Sequence, residues 1–390
     1  MKKIIALICS VFIIFTMPYS SLAQENKDES ITETLEQELN KLDLTDLEKL
    51  KERFNGAEII GNKSVKEMIL EFAGGSNSLN AQSITDYLVS AIIIGTRDGI
   101  MNMAVILLVV IMCGLLKNMM GERIGEVSKI CEYISFVLVV YILLGNFIYY
   151  VDLTKELIEF MQSFVRIIFP PLLTLMTAVG GISSVGVFQP AMAVLSGSMI
   201  EFMRNTILPV GIFGGATGIL GGISSQIKLG KLSDFCSSMC KWLIGIAFTV
   251  YAGLLSIQGV MASTYDGIYF KTAKYTVNSF LPIVGGVMSD TMDTMLGCSL
   301  LLKNAIGFTG MIIVTSACLI PLLRYISCIL ACKLLRALID TATESKISDA
   351  VGGLVSGVTT MFAIVCVITG MTFITVALAI NAGNTSVMLR

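Results

Sequence analysis

The sequence contains no histidine among its 390 residues. This absence excludes Ser-His-Asp triads, HExxH zinc sites, haem ligation by histidine and histidine proton relays. A G-x-x-x-x-G-K-[ST] phosphate loop is also missing, so the chain is not expected to hydrolyse ATP by itself. No HExxH or GxGD protease motif occurs. The sequence therefore predicts a protein that is not an enzyme and that holds no cofactor or metal.

Charged residues are scarce. They make up 14% of the chain, against about 25% in a soluble domain. Hydrophobic residues reach 54%, and the mean hydropathy is +0.80. This composition predicts a membrane protein with several spans. The net charge is only −2, and no basic stripe suggests a nucleic acid as partner.

The ten cysteines do not resemble a secreted disulfide framework. Cys236/Cys240 and Cys328/Cys332 are each spaced i, i+4 within apolar, helical surroundings. This spacing favours small residues on helix-packing faces. A zinc or redox role for the four thiols is the alternative.

Residues 1–23 have the pattern of a secretory signal peptide. Lys2 and Lys3 precede an apolar core, and Ser21-Leu22-Ala23 supplies small residues before Gln24. Cleavage after Ala23 is expected, and an uncleaved first helix is the alternative. In both cases residues 24–90 would face outside.

The segment 24–90 is acidic, with fourteen acidic and seven basic residues. Thr45-x-x-Glu48 and Ser64-x-x-Glu67 are capping-box patterns that predict helix starts. Leucines recur at helical spacing, which indicates either the buried face of a small bundle or a binding groove; they include Leu35, Leu39, Leu47 and Leu50. About 60 residues bury little core alone, so we expect this segment to pack on the membrane part or on a partner.

The region 91–152 is predicted to form the first two spans, Gly99–Leu116 and Tyr133–Val151. Lys117, Arg123 and Lys129 lie between them, which favours a cytoplasmic loop. The following stretch, 152–166, is amphipathic and is expected on the outer side.

The remainder of the chain shows signs of an internal duplication. Pro171 and Pro282 are 111 positions apart, and the Lys231-Leu-Ser-Asp234 pattern returns as Lys346-Ile-Ser-Asp349. We therefore predict two membrane repeats, 153–264 and 265–390, with chance spacing as the alternative. The fold class is an all-α polytopic membrane protein with about eight to ten membrane segments.

The apolar segments of the second repeat are short and broken. The runs 276–287 and 292–302 are below the ~20 residues needed to cross a bilayer, and they would be tilted or re-entrant. Such segments point to a transporter-like central site.

Several charges lie in or beside these segments. Asp290 and Asp293 would share a helix face, either as a cation or proton site or as interfacial caps. Lys303 would pair with an acid or, more simply, snorkel to the interface. Glu201 and Arg204 hold the equivalent place in the first repeat and are expected to pair with each other. All five are candidate pathway or interface residues.

A glycine-rich run, GIFGGATGILGG, contains overlapping GxxxG steps. Its glycines are predicted to form a helix-packing seam, either static or lining a pathway: Gly211, Gly214, Gly215, Gly218 and Gly222.

The segments DGI-x₃-TAKY, D-x-x-DT and SLLLKN, within residues 263–310, resemble the stage III sporulation protein AE family of endospore formers. The resemblance implies a polytopic membrane component of the multiprotein channel between mother cell and forespore, needed for late forespore gene expression. It further implies a place in the mother-cell membrane that surrounds the forespore.

The partners that the resemblance implies are other proteins of the same operon, including a separate ATPase and ring-forming proteins, and a forespore membrane protein. The alternative function is an autonomous ion-coupled secondary transporter that uses the Asp290/Asp293 region.

Overall fold

The computed structural model describes residues 29–53, 63–74, 125–179, 182–222, 229–280, 285–342 and 345–381, and single positions between 89 and 112. The predicted signal peptide lies outside the described residues. Nine α-helices are described within these ranges: α1 Glu29–Asn40, α2 Thr45–Arg53, α3 Val65–Ala73, α4 Gly125–Ala178, α5 Ile182–Phe202, α6 Leu208–Ile219, α7 Leu229–Phe280, α8 Gly285–Ala342 and α9 Ser345–Asn381. A π-helical turn, Met203–Ile207, joins α5 to α6. The predicted all-α membrane fold is confirmed.

The acidic N-terminal segment forms the three short helices α1, α2 and α3. The predicted capping box at Ser64 and Glu67 is present at the start of α3. The box predicted at Thr45 is wrong, because Glu48 instead accepts a hydrogen bond from the amide of Val65, 2.7 Å away. Glu48 thereby ties α2 to the beginning of α3.

At the start of α2, Asp43 accepts from the Thr45 amide at 3.1 Å. The Thr45 side chain and amide lower the pKa of the Asp43 carboxyl. A lowered pKa means that the stabilisation is present at neutral pH and is lost as the pH falls through that pKa.

The leucine stripe of this segment is buried, and Leu39 and Leu47 are only 1% and 2% exposed. These leucines belong to the same hydrophobic cluster as the long helices of the bundle. The expectation that the segment packs on the membrane part is confirmed. Phe72 of α3 makes an edge-to-face contact with Phe308 of α8, with ring centroids 5.0 Å apart.

The long helices run up and down beside one another. In α4 and α8 the contacts Thr154–Tyr325 and Ile168–Gly310 run in opposite sequence directions, so these helices are antiparallel. In α7 and α9 the contacts Ser237–Ser356 and Tyr251–Thr375 run in the same direction, so these are parallel. The α5–α6 unit is antiparallel to α9, since α6 brings Gly211 to Met361 and Gly218 to Gly353.

Segments predicted as separate are continuous in the structure. The second span, the amphipathic stretch 152–166 and the apolar run after it form one helix, α4, which also contains Pro170 and Pro171. The run 292–302 likewise belongs to a longer helix, α8. The prediction that 292–302 is a short, separate segment was wrong. The charged side chain of Lys303 does not end the helix, because the backbone hydrogen bonds of α8 continue past it.

Four helices in the described part of the chain are long and apolar enough to cross a membrane: Phe136–Ala178, Leu229–Ile257, Met295–Asp340 and Lys346–Asn381. At 1.5 Å per residue, the 54-residue α4 is about 80 Å long, well beyond the ~30 Å hydrocarbon core of a bilayer. The bundle therefore extends outside the membrane.

The short helix α3 and the end of α9 lie at the same end of the bundle. Phe72 contacts Phe308, and the neighbouring Gly307 packs against Ile380, near the last described residue of α9. This arrangement agrees with a topology in which the segment 24–90 and the C-terminus share one side.

We expect a membrane-impermeant thiol reagent to label Ser30→Cys and Ser386→Cys, but not Ser128→Cys, in intact cells. The physical reason is the basic loop between the first two spans, which favours the cytoplasm. The described native cysteines are buried and should contribute little background. Labelling of Ser128→Cys from outside would contradict this topology.

Candidate functional site

Asp290 and Asp293 lie in the first turns of α8. Their side chains are outside the described residues, so the hypothesis that they form a polar site stays a prediction. The structure shows that both residues precede Lys303 on the same continuous helix.

Lys303 is completely buried, with 0% of its surface exposed. The expectation that it snorkels to the interface was wrong, because Lys303 lies on the covered face of α8, whereas Leu301 and Phe308 are on its exposed face. A buried ammonium group loses its hydration, so it requires polar surroundings or a protein partner.

The segment from Lys303 to Gly310 is where several helices meet on α8. Besides Phe72 of α3 and Ile380 of α9, Phe164 and Ile168 of α4 press on Gly310. Two glycines in this segment allow the close approach, because a Cβ at Gly307 or Gly310 would overlap a neighbouring side chain. We refer to residues 303–310 as the α8 hub.

The α8 hub also contains polar atoms without described partners. Within the residues that the structure describes, the side-chain oxygens of Asn304 and Thr309 are buried and have no hydrogen bond. By contrast, Thr315, Thr369 and Thr375 each donate to the carbonyl four residues earlier in their own helix. The Thr309 hydroxyl is fully buried and does not make this local bond.

Arg204 does not pair with Glu201, so that prediction was wrong. Its guanidinium contacts the Glu159 carboxylate of α4 at 2.8 Å. Glu201 accepts from Asn205 at 3.4 Å. The π-helical turn at Met203–Ile207 changes the side-chain register at this point, and the i, i+3 rule of a regular α-helix no longer applies.

The glycines of α6 lie against α7 and α9. A Cβ at Gly215 would be 3.1 Å from the Cα of Gly357, and one at Gly218 would be 3.0 Å from the Cα of Gly353. Gly214 faces Cys236 and Gly211 faces Thr360 in the same way. Gly222 ends the short 3₁₀ turn after α6. The helices therefore approach to backbone contact.

Sequence reasoning missed a buried hydroxyl network between α4 and α8. The Thr154 and Tyr325 hydroxyls are 2.7 Å apart, and Tyr325 also donates to the Tyr150 carbonyl at 3.2 Å. Tyr251 of α7 similarly contacts the Thr375 hydroxyl and the Met371 carbonyl of α9. Hydroxyl groups inside apolar helices were the available signal, because they usually bond across helices.

The paired cysteines lie inside the bundle. Cys240 is 3.7 Å from the Ile207 carbonyl, and the Cys328 and Cys332 sulfurs are 3.9 Å apart. Among the described residues, no group of three or more Cys, Asp or Glu side chains is placed to hold a metal ion.

This geometry defines a class: a polytopic helical membrane protein whose polar groups link helices to one another. A family profile described as stage III sporulation protein AE matches residues 63–383. The chain belongs to this family and is a sporulation membrane protein. The matched residues include α3 and the helices α4–α9, whereas α1 and α2 lie before the first matched residue.

A curated relative is the stage III sporulation protein AE of Bacillus subtilis (strain 168). It is 25% identical over 329 residues, which cover 84% of this chain and 82% of the relative. No solved structure matches the chain.

Proposed function

We propose that this chain is an integral component of a multiprotein channel between mother cell and forespore, placed in the mother-cell membrane that surrounds the forespore. The observation that carries the proposal is the family match over residues 63–383, which includes the whole described bundle. The channel would support late gene expression in the forespore.

The architecture supports a role inside a larger assembly. The sequence has no phosphate loop, so energy would come from a separate ATPase among the partners. The acidic helices α1–α3 stand at one end of the bundle, where ring-forming proteins and a forespore membrane protein could reach them. The bundle is also longer than a bilayer is thick, which provides surface outside the lipid for such contacts.

The alternative, an autonomous transporter, has weaker support. That function was suggested by two short, broken segments around Asp290 and Asp293. One of the two segments, 292–302, is part of the continuous helix α8. Ion-driven solute uptake by the purified chain alone in liposomes would favour the transporter, since a channel component needs its partners.

Deletion of the gene is expected to block spore formation after engulfment. A reporter of early forespore transcription should stay active, and a late forespore reporter should fall to background, because the channel acts between these stages. Heat-resistant spore counts and the two reporters measure the effect.

The deletion strain should be restored by the wild-type chain and by Gly245→Ala, a control at an open position where an added Cβ meets nothing within 4 Å. Normal late reporter activity without the protein would overturn the proposal.

A further inference from the structure

We infer that one face of α4, together with the π-helical turn, lines a water-filled groove at membrane depth. The face consists of Asp152, Lys155, Glu156, Glu159 and Arg166, and we call it the α4 charged face. This placement replaces the expectation, from the amphipathic pattern alone, that 152–166 lies on the outer side. The inference goes beyond the proposed function, because it assigns a hydrated surface to specific residues of the chain alone.

The charged residues of α4 point in one direction. At about 100° per residue, all five fall within an arc of about 100° around the helix. All five are exposed: Asp152 by 63%, Lys155 by 50% and Glu159 by 52%. Within the part of the chain that the structure describes, the face is therefore largely open, with Arg204 in contact at Glu159.

The contacts around Tyr251 set the height of this face in the bundle. Val165 of α4 and Tyr251 of α7 line the same small internal cleft, together with Ser196 and Thr375. The two helices are parallel: α8 is antiparallel to α4 and, through the Gly307–Ile380 and Arg336–Ser348 contacts, also to α9, and α9 is parallel to α7. Residues at equal distances from Val165 and Tyr251 are therefore at similar heights.

At the heights of Glu156, Glu159 and Arg166, α7 presents an apolar surface, whereas Lys155 is level with the exposed Lys241, ten residues before Tyr251. Glu156 and Trp242 each lie nine residues before the reference pair, which is about 13 Å at 1.5 Å per residue. Arg166 lies one residue after Val165, and Val250 one residue before Tyr251. Exposed apolar side chains continue along α7 through Ile246, Leu254 and Ile257, and this stretch has no charge.

A flat bilayer cannot cover both surfaces with lipid. The uncharged surface of α7 suits acyl chains, whereas Glu156, Glu159 and Arg166 at the same heights of α4 would place three charges in hydrocarbon. Water along the α4 side resolves the conflict, since polar backbone and charged groups at membrane depth are tolerated when they line an aqueous cavity.

The neighbouring π-helical turn extends this surface. Arg204 reaches the Glu159 carboxylate at 2.8 Å, and Glu201 and Asn205 are exposed beside it. The Asp152–Lys155 pair, at 2.9 Å, lies on the same face. Acidic and basic groups alternate, so the groove suits water and small hydrophilic ions of either sign rather than one charged ligand.

Thiol labelling of the chain alone, in membranes of growing cells that lack the sporulation partners, tests the inference. The membranes are opened so that a small, charged methanethiosulfonate reagent reaches both sides. Such reagents attack the hydrated thiolate, so we expect Glu156→Cys and Arg166→Cys to react roughly tenfold faster or more than the height-matched Trp242→Cys and Val250→Cys.

A second matched pair guards against a variant that fails to fold. Glu159→Cys lies six residues before Val165 and Ile246→Cys lies five residues before Tyr251, so these two thiols are at similar heights. Fast reaction on both helices would show that this height lies outside the membrane. Slow reaction on both would show that lipid or protein covers α4. Either result would overturn the inference while leaving the sporulation role, which the deletion strain tests, unaffected.

Discussion

Gly353→Ala is expected to disrupt the folded bundle. A methyl group at this position would overlap the carbonyl carbon and oxygen of Gly218 and approach the amide of Ile219. These are backbone atoms of α6, so no side chain can turn away to make room. Over-packing of a tight core costs 1–3 kcal/mol and sometimes more, and we expect about 3 kcal/mol or more here.

The loss is measured as a lower thermal unfolding temperature of the detergent-solubilised protein and a lower level in membranes. Gly370→Ala on the same helix is the control, because its added Cβ would meet only Phe248 at 4.0 Å. Alanine is the better helix former by about 1 kcal/mol, so the control should be neutral or stabilising. Equal stability of the two variants would contradict the backbone contact between α6 and α9.

Local patterns in the sequence were sufficient for some features. The capping box at Ser64 and the buried leucines of α1 and α2 depend on spacing within one helix, and periodicity reports such spacing directly. Glycine spacing marks a close-approach surface at Gly215, and the structure places Gly357 against it. The spacing cannot show which part of the chain lies against Gly215, since Gly357 is 142 positions away.

Features that depend on several helices were not predictable in the same way. Arg204 contacts Glu159 because α4 passes the π-helical turn, and a single helix pattern contains no information on that neighbour. The bounds of α4 and α8 were also missed. Charges and prolines suggested breaks, but a helix continues through them when its other backbone hydrogen bonds are kept.

The contrast is clearest at Lys303. From the sequence, a lysine beside an apolar run reads as an interfacial residue with a long, flexible stem. It is buried at the start of the α8 hub, where α3, α4 and α9 all contact α8, and such contacts are tertiary information. The hypothesis of a polar site gains weight from this burial, because an enclosed charge is costly to keep.

Lys303→Met is accordingly expected to reduce heat-resistant spores by orders of magnitude while the protein remains at its normal level in the membrane. Methionine keeps the length and flexibility of the side chain and removes the charge, so packing at the hub is preserved. Replacing a buried charge by an apolar group of similar volume is often neutral for stability. Spore counts, protein level and thermal unfolding separate loss of function from loss of folding.

Leu302→Met is the matched control. Leu302 is also fully buried on α8, and exchange for methionine usually costs less than about 1.5 kcal/mol, so spore formation should be normal. If the acids earlier on α8 serve the same site, Asp290→Asn and Asp293→Asn should also abolish spore formation at normal protein levels. Asparagine caps a helix nearly as well as aspartate, so a capping role alone would leave these two variants active. Normal spore yield in all three charge variants would reduce the α8 hub to a packing role and direct attention to the α4 charged face.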